Sequence, residues 1–242
     1  MQWWFDLLFC QTHQPLLDLY GPLLRTMDLV LVKELWQIGA YRSLGITAEY
    51  LDQGCPDEWP ACEHPDDPEF DVLVFGSLMP HYRQRRDDVE ALVRAGFRVA
   101  WAGNNGAHPP GVVPLPWCHP SELPALMSRA ALALCVDLRH DVPGYWSDRL
   151  WLSLGAGACV LKRDTKGQPD LPMSVYCDEL LIGSCVSDLR SPIHRRQIGA
   201  EARRITLLGH TYTHRCQEIV NHAERFLNGG RRRQPEVCLS AV

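Results

Sequence analysis

The stretch FDVLVFGSLMPHYRQRRDDVEALVRAGFRVAWAG, residues 70–103, decides the fold. Its first eight residues, FDVLVFGS (70–77), are a short and almost unbroken apolar run, as expected of a strand covered on both faces. Residues 84–96 change period: Val89, Leu92 and Val93 fall at helical spacing, and Gly96 stops the helix. FRVAWAG (97–103) then returns to a strand. Strand, helix and strand in this order make a βαβ unit, and such units build parallel sheets.

The pattern continues toward the C-terminus. SELPALMSRA (121–130) reads as a helix with Ser121 as its N-cap, ALALCVD (131–137) as a third strand, ACVLKR (158–163) as a fourth and 173–178 as a fifth. From about 187 the chain reads as helical, and a long last helix spans 211–228 before Gly229-Gly230. Toward the N-terminus, LVLVK (29–33) and AEYLD (48–52) are strands around a helix at 34–44. GCPDEWPACEHPDDPE (54–69) carries four prolines among acidic residues and reads as a linker. The expected organisation is a short N-terminal α/β part at 1–55 and a linker at 56–69. A Rossmann-like domain follows at 70–210, then a C-terminal helix and basic tail at 211–242. The fold class is α/β with a doubly wound parallel sheet.

Composition is that of an ordinary globular protein, with 46% apolar and 22% charged residues. A net charge of −5 excludes a generally basic nucleic-acid binder. The ten cysteines show no C-x-x-C pair, which suits reduced thiols in a cytoplasmic protein. Cys55, Cys62 and His64 have looser spacing than structural zinc sites favour, so no metal is expected. The opening MQWWFDLLF lacks a basic start and is interrupted by Asp6, which fits neither a signal peptide nor a membrane span.

Ligands of doubly wound sheets lie at the carboxyl ends of the strands. Two loops there carry chemistry. In the first, Gly76 and Ser77 permit close backbone approach, and Arg83, Arg85 and Arg86 follow at a helix start, where N–H groups and guanidiniums favour an anion. In the second, PGYWSDRLWLSLGAGACVLKR (143–163), Ser147 is an N-cap and Asp148 suits the first helical turn. Arg149 does not suit that turn unless it meets a negative partner, and a bound phosphate is one such partner. Trp146, Trp101 and Ser153 are further candidates for the ligand, and Lys162 reaches the same region from the next strand.

GYWSDRLWLSLGAGACVL resembles the S-D-R–aromatic–G-x-G segment of the CgeB-like glycosyltransferases, a phage-type group. LDQGCPDEWP (51–60) is similar to their hinge, and the Gly-Ser-then-arginine loop at 74–86 to their first ligand loop. GHTYTHRCQEIV (209–220) is similar to their His-Thr-Tyr-x-x-Arg box at His210, Thr211, Tyr212 and Arg215. The resemblance implies a GT-B architecture, with a nucleotide-sugar held mainly by the C-terminal domain. It further implies that Gly76, Ser77, Arg83, Arg85, Arg86 and Ser147–Arg149 embrace the donor, a UDP-sugar being favoured. Where many relatives carry a glutamate for the ribose, this chain has Leu152, which moves that contact to Asp148 or Ser153.

The implied reaction is transfer of the sugar to an acceptor hydroxyl without a metal. Arg149, with Arg83, Arg85 and Arg86, is a candidate to serve the leaving diphosphate. An inverting enzyme would also need a base, for which Asp6, His13 and Asp18 are candidates that spacing does not separate, and inversion or retention stays open. A hydroxymethylated pyrimidine in DNA is one acceptor, which Arg195, Arg196, Arg203, Arg204, Arg215, Arg225 and Arg231–Arg233 would face. Two other classes stay open at this point: a non-catalytic nucleotide or nucleic-acid binding module, and a nucleotide-sugar epimerase.

Overall fold

The computed structural model describes residues 2–4, 14–77, 83–103, 107–142, 144–178 and 180–230. They divide into two compact units, Gln53–Tyr212 and a smaller one of Met1–Asp52 with Thr213–Val242.

In the smaller unit, β1 (Gln2–Trp4), α1 (Gln14–Leu24), β2 (Val30–Val32), α2 (Ile38–Ser43) and β3 (Ala48–Tyr50) form a parallel sheet of order β1-β2-β3 with its helices. Val30, Val32, Tyr41, Ile46 and Ala48 pack on one side of it, and Leu29, Leu31 and Leu51 meet Ile219 of the last helix on the other. Tyr41 donates its hydroxyl to the buried Glu34 carboxylate at 2.6 Å.

The larger unit holds β4 (Phe70–Phe75), α3 (Arg83–Arg94), β5 (Val99–Ala102), β6 (Val113–Leu115), α4 (Leu123–Met127) and β7 (Ala130–Cys135). It continues through α5 (Asp148–Ala156), β8 (Val160–Arg163), β9 (Ser174–Tyr176), α6 (Ile182–Asp188) and α7 (Pro192–Gly209). The last helix, α8 (Tyr212–Gly230), belongs beyond its first residue to the smaller unit. Six strands pair in parallel in the order β6-β5-β4-β7-β8-β9. Side chains alternate between the two faces. Val72, Val74, Val99, Trp101, Leu132, Leu134 and Leu161 join α3 and α6 in one core. Leu73, Phe75, Ala100, Ala102 and Ala133 face α4 and α5 in another.

Strand β6 falls inside what reads from sequence as a Pro/Gly loop. It is a sheet edge with Pro114 at its centre, and an edge strand tolerates a missing N–H. The cap of the helical stretch before β7 is His119 rather than Ser121: a 3-10 turn, Pro120–Glu122, precedes α4, and the His119 side chain accepts from the Ser121 N–H.

The 56–69 stretch packs within the larger unit. Trp59 donates Nε1 to the Leu152 carbonyl at 2.9 Å, and the Cys62 N–H reaches the Ala156 carbonyl at 2.8 Å. Gly155 makes this possible, since a Cβ there would lie 2.6 Å from Cys55 Sγ. The backbone of 209–212 closes on the same stretch through a parallel bridge of Cys55 with Thr211, and His210 stacks on Trp151 at 4.2 Å. Thr211 donates its hydroxyl to Asp57 at 2.6 Å. The hydroxyl and imidazole of the His-Thr-Tyr segment are thus engaged in holding chain segments together.

Candidate functional site

Two backbone ends and one helix start meet at the carboxyl side of the large sheet. The helix start is built by Asp137, two residues beyond β7. Its Oδ1 accepts the N–H of Ser147 at 2.8 Å, and its Oδ2 accepts from Lys162 Nζ at 2.5 Å. Lys162 also donates to the Arg163 carbonyl at 2.9 Å and to Thr165 Oγ1 at 3.0 Å. All of this is buried. Burial pulls the Asp137 carboxyl upward, but the Lys162 charge and the hydrogen bonds outweigh it and hold the group below the usual carboxylate range.

Asp137 holds the Ser147 amide and Asp148 Oδ1 accepts the Arg149 N–H at 3.0 Å, and Ser147, with the extended backbone of an N-cap, makes no capping bond with its own side chain. Its Oγ is buried without a partner, and so is Nε of Arg149 two residues later. Buried polar atoms are rarely left unpaired.

The backbone ends are those of β4 and β5. Gly76 has φ +111°, a conformation that favours glycine. Its carbonyl accepts from Trp101 Nε1 at 3.0 Å, and its N–H donates to the Ala102 carbonyl at 2.9 Å. Two guanidiniums converge beside it: a Cβ on Gly76 would lie 3.1 Å from Arg149 Nη1 and 3.4 Å from Arg85 Nη1. Arg85 is buried and held by the carbonyls of Ser77 at 2.7 Å and Val136 at 3.0 Å. Two cations brought to one point repel, and an anion between them relieves the repulsion.

A cavity of about 160 Å³, open to solvent, lies against this point. The buried Phe75, Ala102, Leu123 and Leu152 line it with Gly76, Asp148 and Arg149, and the more exposed Trp117, Cys118 and Pro120 form its rim.

The sequence-derived candidates divide sharply. Gly76, Asp148 and Arg149 line the cavity, while Arg85 and Ser147 stand beside it as described. Ser77 gives its carbonyl to Arg85. Four expectations are corrected. Trp101 is fully buried on the opposite face of the sheet from Ala102, because neighbouring residues of a strand point opposite ways. Trp146 packs in the core with Leu150, Trp151 and Leu154 instead of facing a ligand. Ser153 turns toward β7, its hydroxyl 3.6 Å from Cys135 Sγ. Lys162 serves Asp137 and does not reach the cavity lining. Arg83 is largely exposed with Asp87 at 3.6 Å, and Arg86 pairs with Glu90 at 3.1 Å. Asp6 and His13 lie outside the described residues, as do Arg231–Arg233.

The C-terminal arginines do not form the expected outward row. Arg195 is buried on the carbonyls of Leu189, Arg190 and Pro65, Arg203 holds those of Gly155 and Trp59, and Arg215 is buried with Glu218 at 2.6 Å. Arg196 and Arg204 pair with Asp66 and Glu201.

Sequence reasoning missed the rim. Trp117 is 58% exposed, unusual for a tryptophan, and sits between Pro116 and Cys118 in a segment without periodicity. An exposed aromatic beside a cavity is the signal, and exposure is not readable from the chain. Among the described residues no group of three His, Cys, Asp or Glu is placed to hold a metal ion. Burial pushes the Cys62 thiol up to about 12 and Cys135 up to about 11, so both stay protonated. Among the described residues no helix is long and apolar enough to cross a membrane.

Comparison with known proteins agrees with this architecture. The sequence model of a family described as glycosyl transferase-like matches residues 68–221. No curated protein sequence matches the chain. Among solved structures, the chain is similar to HepE of Anabaena, determined with UDP and glucose. The TM-score is 0.67 at 13% identity over 92% of this chain and 71% of that one. It is similar to the N-terminal domain of the trehalose-6-phosphate phosphatase of Candida albicans, with TM-score 0.60 and 12% identity over 90% of this chain and 61% of that one. The pneumococcal O-GlcNAc transferase GtfA, determined with UDP and GlcNAc, follows with TM-score 0.56 and 12% identity over 87% of this chain and 47% of that one. The chain thus spans under two thirds of the length of the latter two. At these identities the likeness is one of fold, and the fold is α/β and GT-B-like.

Proposed function

Since the chain belongs to the glycosyl transferase-like family, we propose that it transfers a sugar from a nucleotide-diphosphate sugar to an acceptor hydroxyl. The observation that carries this reading is the paired orphan groups at the start of α5. Ser147 Oγ and Arg149 Nε are buried and unpartnered beside a cavity at the carboxyl ends of β4 and β5. UDP in the HepE and GtfA structures supports a uridine donor.

In this reading the diphosphate lies at the start of α5, where the helix dipole, the Ser147 hydroxyl and the Arg149 guanidinium meet its charge. Arg85 lends its field from behind Gly76. The base stacks on Trp117 at the rim. During transfer the acceptor oxygen bonds to the anomeric carbon as the bond to the β-phosphate oxygen breaks. The nucleoside diphosphate leaves with the electron pair, and the acceptor's proton passes to a base, the role proposed for Asp6. The growing charge on the leaving group is taken by N–H groups and arginine, and no metal ion is required by the scheme. The acceptor we propose is a hydroxymethylated pyrimidine of DNA, in keeping with the CgeB-like, phage-type resemblance, acting in the cytoplasm.

The test is a thermal-shift series with UDP, GDP, ADP and CDP and their sugars, run on the native chain and on Arg149→Ala. A ligand at a hundred times its dissociation constant adds about 2.7 kcal/mol. A shift with one nucleotide family that disappears in Arg149→Ala supports the donor site, and hydroxymethylated DNA is then the first acceptor. No shift with any nucleotide overturns it.

A further inference from the structure

The side chain of Tyr212 is the part of the His-Thr-Tyr segment that the packing of the chain does not account for. His210 stacks on Trp151 of α5, ring centroids 4.2 Å apart and planes 13° from parallel, and Trp151 lies one turn after Asp148. Thr211 is tied to Asp57 by its hydroxyl and to Cys55 by its backbone bridge. The Tyr212 N–H donates to the Cys55 carbonyl at 2.9 Å, and Cys55 lies against Gly155 of α5. These ties seat Tyr212 beside α5 within the larger unit. Thr211 is buried, yet Tyr212 is 41% exposed, and among the described residues no hydrogen bond engages its hydroxyl. The charge of Asp148 reaches it: burial and then that charge raise the phenol, which keeps its proton and can both donate and accept.

Asp148 is the second half of the arrangement. It is exposed and lines the cavity between Ser147 and Arg149. Its Oδ1 accepts the Arg149 N–H at 3.0 Å, and Oδ2 has no hydrogen bond among the described residues. A carboxylate accepts and does not donate, so beside a diphosphate it repels. It suits that place only if it faces hydroxyl donors. Resting on the donor-site reading above, we infer that Asp148 and Tyr212 together hold hydroxyls of the transferred sugar, the carboxylate accepting and the phenol donating or accepting. The sugar is bonded directly to the outer phosphate, whereas the pentose is tethered to the base, which that reading places at Trp117. Tyr212 itself does not line the cavity, so a pair that begins at Asp148 leads out of it. An acceptor-only group beside one that does both matches two neighbouring hydroxyls of a hexose.

Calorimetry on the full chain measures dissociation constants of UDP, UDP-glucose, UDP-galactose and UDP-N-acetylglucosamine. The series is repeated on Tyr212→Phe and on Asp148→Asn, which keeps an oxygen for the Arg149 N–H. The nucleotide-sugar that binds the native chain most tightly is expected to weaken about three- to tenfold in Tyr212→Phe and about tenfold or more in Asp148→Asn. UDP itself is expected to stay within about twofold in Tyr212→Phe, and to hold or tighten in Asp148→Asn, where a repelling charge is gone. Equal weakening of UDP and its sugars assigns the pair to the pentose or to the fold and overturns the inference. No weakening of any sugar overturns it as well, and in both cases the donor site stands. Failure of the native chain to bind any of these ligands overturns the donor site and this inference with it. Should Asp148→Asn not fold, as circular dichroism would reveal, Tyr212→Phe decides alone.

Discussion

The backbones of Gly76 and Gly103 touch so closely that a Cβ on Gly103 would lie 2.2 Å from the Gly76 carbonyl oxygen. That contact fixes where β4 ends, and with it the strand end beside which Arg85 and Arg149 converge. The same carbonyl is tied to Trp101, so it cannot retreat without losing a buried hydrogen bond. Gly103→Ala is expected to destabilise the fold by about 1–3 kcal/mol, the usual cost of overpacking. It is also expected to weaken nucleotide binding beyond that loss, because Gly76 must shift. Urea unfolding and a UDP titration of the same variant check both parts.

Lys162 and Asp137 form a fully buried ion pair. Removing one partner leaves a buried charge without compensation, at a cost of about 3–5 kcal/mol. Lys162→Met is expected to show that loss in chemical denaturation. Pairing it with Asp137→Leu, which removes the stranded charge, is expected to recover part of the stability while leaving the start of α5 without its outside cap.

Trp117 supplies the rim aromatic. Stacking of a base on an aromatic side chain is worth about 1–3 kcal/mol. Trp117→Ala is expected to weaken nucleotide binding by about ten- to a hundredfold with the melting temperature of the free protein nearly unchanged, since the side chain is mostly exposed. Calorimetry and thermal unfolding separate the two effects. Trp146→Ala is expected to do the reverse.

A pH effect follows from His64. Its Nε2 lies 2.7 Å from the Gly157 carbonyl, and its Nδ1 is buried without a partner. Burial lowers its pKa, the hydrogen bond to the Gly157 carbonyl opposes it, and the charges of Arg195 and Arg196 add to the lowering. The unfolded chain, with a histidine pKa near 6.5, therefore binds the proton more readily than the folded one as pH falls below that value. The resulting stability is complete above about pH 6.5 and is lost as pH falls toward the folded pKa. Melting temperatures between pH 7.5 and 5.5 are expected to fall more steeply for the native protein than for His64→Gln, which keeps a donor for Gly157.

How far the chain discloses all this depends on what each residue's role requires. The strands of the large sheet are legible because Phe70–Phe75 and Ala130–Cys135 are apolar runs bounded by turns. The N-cap at Ser147 and the arginine after it are legible as a local pattern. Lys162 is not, because its role depends on Asp137, 25 residues earlier, and on strand parity that puts the two on one face. For the aromatics, a tryptophan in a loop reads the same whether it turns inward, as Trp146 does, or stays at a rim, as Trp117 does. Parity also separates Trp101 from Ala102, and only a known sheet direction and covering helices turn parity into a location.

The outside cap on α5 has one more consequence. Asp137 ties the Ser147 amide to β7 and, through Lys162, to β8, so freeing that amide means separating three segments of the chain at once. Exchange of its hydrogen with solvent deuterium should therefore report the slow, whole-unit opening rather than the fraying of a helix end. The start of α5 is then no mobile margin but one of the last parts of the unit to come undone.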